Sequence, residues 1–307
     1  MSVCSISTCW RAEELTDPRT LVDAMKETGF NALELEFRVG APVFDAIAEN
    51  RDAWGIRISS LHAVCPSAPG RGKGAEEFLI SDLDEENRRR GVRDVIETVR
   101  RAAGIGAGAV VLHCGAIPED LDAQRIMMRF YDEGKLGAAE AEAAREALLI
   151  KRVAAARGPF GQTLKSLDEI NKAAVKAGVK VGLENRYYFR EFPSFEEFGV
   201  IFNAFDGGNL YYWHDTGHAH TIQALFGVPH RKMLETFGNR LVGMHLHDVV
   251  NGYTDHNEPG IGAVDWDMVK GFLKPDTIRV MEVNRRVPLK RVLAGAAFLR
   301  QKGIFDH

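Results

Sequence analysis

Short apolar runs of strand length alternate along the whole chain with longer stretches whose apolar residues recur at helical spacing. The strand-like runs are SVCSISTCW (2–10), NALELEF (31–37), IRISSLH (56–62), AVVLHCG (109–115), VKVGLENRY (179–187), NLYYWHD (209–215), LVGMHLHD (241–248) and IRVMEVN (278–284). Helical punctuation fills the gaps. Asp17 and Pro18 supply an N-cap and a first helical residue, Leu21, Val22 and Met25 share one face, and Gly29 stops the helix. A second helical stretch runs from Val43 to Ala53. Ser81 and Asp84 open a third, whose Val92, Val95, Ile96 and Val99 keep helical spacing up to Gly104.

Such alternation implies parallel strands joined by crossover helices, and eight units close most simply into an α/β (β/α)8 barrel, the TIM barrel. A doubly wound open sheet is the structural competitor. No Pro/Ser/Gly-rich linker divides the chain, so residues 1–307 are read as a single TIM-barrel domain. Residues 116–163, between the fourth and fifth runs, break the rhythm with the Ala/Glu/Arg-rich LGAAEAEAAREALLIKRVAAARG. This helical insertion is read as a lid over the site, an oligomer contact or an extra solvated helix pair.

Ligand-type residues collect where the runs end. His62 closes the third, His113 the fourth, Glu184 the fifth, Asp215 the sixth, His245 and His247 the seventh, and Glu282 the eighth. In a parallel barrel all these ends open on one face, where active sites of this architecture lie. Period-2 alternation sets His245 and His247 opposite Met244 and Leu246, and groups Val280, Glu282 and Asn284. Three carboxylates, Glu184, Asp215 and Glu282, would then share one partly buried place, each unpaired charge costing several kcal/mol. Arg186 can serve only one of them. A divalent cation relieves the repulsion at once, and three oxygens with one imidazole suit Mn²⁺, Mg²⁺, Co²⁺ or Zn²⁺.

Composition narrows the classes. The 307 residues are 45% hydrophobic and 27% charged, enough for one sizeable core. No run approaches the roughly 18 apolar residues that cross a bilayer, and the N-terminus lacks signal-peptide features, so a cytoplasmic protein is expected. Cys4, Cys9, Cys65 and Cys114 form no CxxC and are read as reduced, Cys65 and Cys114 as small apolar residues near the pocket. A formal charge of −4 leaves no broad basic footprint for nucleic acid. Asp248 is assigned to loop or helix capping, Asp265 to an N-cap, and His230 and His307 to the surface. Arg285 and Arg286 follow the eighth run, either to hold an anionic group or as solvated residues.

LHAVCP, VVLHCG, GLENR, HDTGHAH, MHLHDV, HNEPGIGAVDW and MEVN resemble, in order, the motifs of the sugar phosphate isomerase/epimerase superfamily. This is the xylose isomerase-like TIM-barrel group, which also holds the endonuclease IV-type apurinic endonucleases. The resemblance spans about residues 15 to 300 and is weakest in the insertion. It implies that Glu184, Asp215, His245 and Glu282 bind one divalent metal, and that His218, Arg186 and His247 lie beside the substrate. His62 and His113 fall where epimerases contact sugar and where the endonucleases hold further zinc; His256 matches the last of those zinc ligands. The endonucleases carry an aspartate two residues before that histidine, where this chain has Thr254, with Asp255 next to His256.

The expected activity is that of a metal-dependent sugar or sugar-phosphate isomerase or epimerase, with a small-molecule sugar as partner, homo-oligomerisation as a possibility, and neither membrane nor nucleic acid. Proton transfer would pass through a metal-stabilised enediolate, with Glu184 and Glu282 as catalytic acid and base. Two alternatives stay open: a multi-zinc phosphodiesterase of the apurinic endonuclease type, and a polyol dehydratase or binding relative with the same metal shell.

Overall fold

The computed structural model describes residues 3–67, 76–119 and 121–305. Eight parallel strands close on themselves: β1 (Cys4–Ser7), β2 (Ala32–Leu35), β3 (Arg57–His62), β4 (Ala109–Leu112), β5 (Lys180–Glu184), β6 (Leu210–Asp215), β7 (Leu241–Leu246) and, after a hairpin of β8 (Asp248–Val250) and β9 (Thr254–Asn257), β10 (Ile278–Met281). The barrel is the expected TIM barrel, and its eight-stranded sheet is closed. Each strand places alternate residues against the helices. Leu33, Leu61, Val110, Val181, Met244 and Met281 join the outer core in this way, while Ala109, Val111, Trp213, Val242, Ile278 and Val280 form a separate plug inside the barrel.

The plug depends on small neighbours. A methyl group on Gly243 would lie 2.1 Å from the Trp213 ring, and one on Gly182 would meet the same ring at 3.0 Å. Trp213 therefore fills the barrel beneath the polar layer because two adjacent strands carry no side chain there. Its indole centroid lies 5.1 Å from that of His245, so the plug is the floor of the site.

The first helix forms as its punctuation predicts. α1 (Pro18–Lys26) is capped by Asp17, which accepts from the Thr20 amide, and buries Leu21, Val22 and Met25. α2 (Ala41–Asn50) starts two residues and ends three residues before its expected bounds. In α3 (Glu85–Ile105) the cap is Asp84 alone, with Ser81 in the preceding 3-10 turn, and the stop is Gly106 at φ +69° rather than Gly104.

The insertion differs from its expected form. α4 (Ala123–Asp132) is followed by α5 (Ala139–Ala177), a single 39-residue helix that is both the Ala-rich stretch and the crossover back to β5. Pro159 lies inside it. At a rise of about 1.5 Å per residue such a helix exceeds a barrel strand severalfold, so its first half overhangs the C-terminal face. There Ala141 and Leu148 pack with Met127 and Ala123 of α4 and with Leu225. α6 (Phe195–Ala204), α7 (Thr216–Phe226), α8 (His230–Phe237), α9 (Trp266–Lys270) and α10 (Leu289–Gln301) complete the outer layer. Among the described residues no helix is long and apolar enough to cross a membrane.

The β8–β9 hairpin has no counterpart among the expected strands, although Asn251-Gly252 signals one: both residues have positive φ, 51° and 70°. Tyr131 of α4 stacks edge-on with Tyr253, whose hydroxyl donates to Asp132, so the hairpin is moored to the insertion.

Gly243→Ala is expected to lower stability by about 1–3 kcal/mol through overpacking against Trp213, read from the urea unfolding midpoint. An unchanged midpoint would show that the plug is not tightly filled.

Candidate metal centre

Six of the seven strand-end residues expected at the mouth are there, and all seven are buried. His62, Glu184, Asp215 and His245 are at most 2% exposed, and His113 and Glu282 are 7% exposed. Glu184, Asp215, His245 and Glu282 each bring one ligand atom within 4.8 Å of the other three. His245 Nδ1 stands 2.8 Å from Glu184 Oε1, 3.1 Å from Glu282 Oε2 and 3.8 Å from Asp215 Oδ2. The other ring nitrogen, Nε2, lies 3.0 Å from Glu34 Oε1, and Glu34 in turn accepts from the Ser60 hydroxyl at 2.8 Å.

That geometry decides what belongs in the middle. Glu34 can only accept, so Nε2 carries a proton and donates it. In the neutral tautomer Nδ1 is then a lone pair aimed at three carboxylates, and a divalent cation is what lets four acceptors face one point. Without a cation a second proton on His245 answers the same demand. Burial works against the charged ring, but Glu282, Glu34 and Glu184 hold its pKa well above the usual histidine value. Glu184 and Glu282 are held well below the carboxylate range although burial opposes it: Glu184 by Arg186, His245 and His113, and Glu282 by His245 and His256. The donor set thus fits a divalent metal.

Asp215 is placed by its neighbours. It caps α7, accepting from the His218 amide at 2.7 Å, and its own amide donates to Asn185 Oδ1 at 2.8 Å. Asn185 Nδ2 donates back to the Asp215 carbonyl, tying β5 to β6. A methyl on Gly217 would sit 2.0 Å from the His247 ring, so the Thr-Gly-His turn needs glycine there. His247 itself corrects an expectation. It is fully buried, its Nε2 donates to Asp215 at 2.9 Å and its Nδ1 accepts from the His256 amide, so it braces Asp215 and does not face the cavity.

The remaining expected residues line a polar cavity of about 470 Å³: His62, His113, Arg186, His218 and His256 together with Glu184 and Glu282. His113 Nε2 lies 2.6 Å from Glu184 Oε2, and Arg186 Nη1 the same distance from that oxygen. His218 Nδ1 donates to the Asn185 carbonyl, which turns Nε2 toward Asp255 at 3.7 Å. Asp255, not the exposed Thr254, joins His256, 3.0 Å from its Nδ1, and is held below the carboxylate range against its burial by His256. Arg285 reaches the cavity rim, whereas Arg286 is exposed outside it. Asp248 ties the following loop, accepting from Gly260, Val264 and Trp266, and Asp265 caps α9. Cys65 and Cys114 are buried thiols, whereas Cys9 lines the cavity.

His230 is not a surface residue. It is 3% exposed, its Nε2 lies 2.8 Å from His214 Nε2, and His214 continues to the Tyr212 hydroxyl and from there to Asn185. His307 lies outside the described residues. Sequence reasoning also missed Glu34 and Glu36, which alternate with Leu33 and Leu35 and are fully buried. The signal was present: two carboxylates on the inward parity of a strand. Burial lifts the Glu36 pKa to about 7 although Arg38 pairs with it.

The family model for the xylose isomerase-like TIM barrel matches residues 22–302. The chain belongs to that family. A D-tagatose 3-epimerase-like protein superposes with TM-score 0.69 at 20% identity, covering 98% of this chain and 97% of its own. A putative xylose isomerase from Rhodospirillum rubrum gives 0.70 at 14%, covering 98% and 99%, and the IOLI protein with a bound zinc atom 0.68 at 16%, covering all of both chains. An uncharacterised Methanocaldococcus jannaschii protein is 26% identical over 271 residues, 79% of this chain and 80% of its own. A Sinorhizobium fredii relative is 24% identical over 131 residues, 42% of this chain and only 38% of its own length.

Adding Mn²⁺ or Zn²⁺ to chelator-treated protein is expected to raise its melting temperature with metal concentration, as any ligand of the native state does; His245→Gln should abolish most of the rise. A rise of equal size in the variant would place the ion elsewhere. His230 provides a second test. Burial, with His220 beside it, lowers its pKa to about 3, below the unfolded value, so its neutral form stabilises the fold above about pH 6.5 and that contribution is lost as pH falls toward 3. His230→Gln should flatten the decline of stability over that window, and an unchanged slope would contradict the buried neutral pair.

Proposed function

We propose that the chain is a divalent-metal-dependent isomerase or epimerase of sugars or sugar phosphates. The observation that carries the reading is the four-ligand cluster of Glu184, Asp215, His245 and Glu282 at the floor of a polar cavity lined by histidine and arginine. Solved relatives of the same fold are described as a D-tagatose 3-epimerase-like protein and an L-ribulose 3-epimerase, which agrees with such chemistry.

A cation held by the four ligands supplies polarisation of a substrate carbonyl, which acidifies the neighbouring C–H. The chain's own groups handle the proton. Glu184 and Glu282 come from β5 and from the residue after β10, three strands apart around the barrel, and reach the same space from different sides. One takes the proton and the other returns it, to the opposite face for an epimer or to the adjacent carbon for an aldose–ketose pair. Arg186 and His113 hold Glu184 ionised at one oxygen, leaving the other toward the cluster. His62, His218 and His256 supply donors for substrate hydroxyls, and the cavity is large enough for one small molecule.

A second reading has its own observation. His62, His113 and Glu184, and separately His218, His247 and His256, also bring ligand atoms within 4.8 Å of one another. Zinc at such sites would make a multi-zinc phosphodiesterase. His247 weakens the second trio, since both its nitrogens are already used. One metal per chain favours the isomerase; two or three, with cleavage of abasic DNA, favour the alternative.

The direct test is solvent deuterium exchange into a panel of ketoses and ketose phosphates, followed by NMR. Exchange at carbon next to the carbonyl is expected, and Glu184→Gln or Glu282→Gln should each slow it by about 10²- to 10⁴-fold. Full exchange in either variant would reject its acid–base role.

A further inference from the structure

Beside the polar cavity lies a larger one of about 730 Å³, bounded by the first half of α5, the loop after β5, and helices α7 and α8. Its lining is chiefly apolar, including Leu149, Val153, Phe160, Phe189, Ile222 and Phe226. Leu149 and Val153 face it while 52% and 55% exposed.

Two of the arginines in its wall, Arg145 and Arg152, are already committed, while Glu146 and Arg157 line it as exposed residues. Arg152 is 4% exposed and donates to the Phe189 and Glu191 carbonyls and to both Glu197 oxygens, and Arg145 donates to the Leu225 and Leu136 carbonyls. These two cations hold the wall together, and the cavity offers a ligand chiefly apolar surface. Its size falls within the range of about 300–1,000 Å³ typical of small-molecule sites.

The two cavities share Arg186, Tyr188 and Glu191 as lining. Arg186 Nη1 is 2.6 Å from Glu184 Oε2 and its Nε 3.3 Å from Glu191 Oε2, so one guanidinium separates the candidate metal centre from the apolar chamber. The half-exposed Tyr188 ring lies along the same wall. A molecule whose polar end sits at the metal centre can therefore place an attached apolar group across Tyr188 into the chamber. A free hexose or its phosphate has nothing to put there.

We infer that the apolar chamber is a subsite for an aromatic or alkyl substituent, and that the substrates are keto sugars carrying such a group through a glycosidic bond. This rests on the sugar-handling reading of the polar cavity. A second copy of the chain is a poorer occupant: the surface is concave and shares three lining residues with the site, and Leu149, Ile150 and Val153, the exposed aliphatic residues along this part of α5, supply a fraction of the about 800 Å² per partner of a standard interface.

The test uses a matched pair, 4-nitrophenyl and methyl 3-keto-β-D-glucopyranoside, with the metal-loaded full chain. Calorimetry gives both dissociation constants, NMR the solvent exchange of each, and sedimentation velocity the oligomeric state. The nitrophenyl compound should bind at least about tenfold more tightly, as expected for burying one aromatic ring. Val153→Asp and, independently, Leu149→Asp should bring the ratio of the two constants near unity. Equal affinities, or no binding of the nitrophenyl compound, would overturn the inference. So would variants that dissociate an oligomer while keeping the aryl preference, which would assign the chamber to a second copy. If the aryl preference holds but neither compound exchanges, the subsite stands and the isomerase reading falls.

Discussion

His245 is held between two demands that only a positive charge can meet. Glu34 fixes the proton on Nε2, and this leaves Nδ1 pointing at Glu184, Glu282 and Asp215 in a space from which water is largely excluded. Four acceptors converging on one point are not a stable arrangement by themselves, because each buried charge without a partner costs several kcal/mol. The molecule resolves the conflict with a proton on the imidazole or with a metal ion, and only the metal lets the imidazole remain neutral. The layers around the site serve this one arrangement. Trp213 seals it from below, Asn185 locks β5 to β6, and Gly217 lets His247 reach Asp215 from behind.

Proton and metal compete for the same lone pair, which links the electrostatics to the chemistry. The groups that keep Glu184 and Glu282 ionised are cations and histidines on the cavity side, so the carboxylates remain bases in a place where burial alone would protonate them. A carboxylate that is both a ligand and a base must divide its two oxygens between the roles, and Glu184 does this visibly: Oε1 faces His245, while Oε2 receives His113 and Arg186. The same arginine forms the partition toward the apolar chamber. Catalytic electrostatics and the proposed choice of substrate thus meet in one side chain.

Much of this was legible in the sequence, and the reason is topological. In a parallel barrel the C-terminal ends of all the strands open on one rim, so Glu184, Asp215, His245 and Glu282 could be grouped without coordinates once the eight runs were recognised. Alternation within IRVMEVN, and within LVGMHLHD as far as His245, separated inward from outward residues at the rim. Residues that act from behind were harder to read. Glu34 lies in the middle of the run NALELEF and not at its end, and its role depends on β2 facing β7 across the barrel, which no local pattern records. His247 shares the parity of His245, yet it follows the end of β7, where the chain turns toward the hairpin and carries the ring behind Asp215. His230 opens α8 after a proline and reads as a solvated cap; only the meeting of α8 with β6 buries it against His214. The continuous α5 was masked for another reason, since Pro159 normally interrupts a helix and here does not.

The most direct measurement is anomalous diffraction from crystals grown with Mn²⁺, which locates the ion independently of any activity. The account predicts one strong peak within about 2.0–2.6 Å of oxygens from Glu184, Asp215 and Glu282 and of His245 Nδ1, with Nε2 still bonded to Glu34. A peak confined to His62 and His113, or no peak beside an intact His245–Glu184 hydrogen bond, would contradict it.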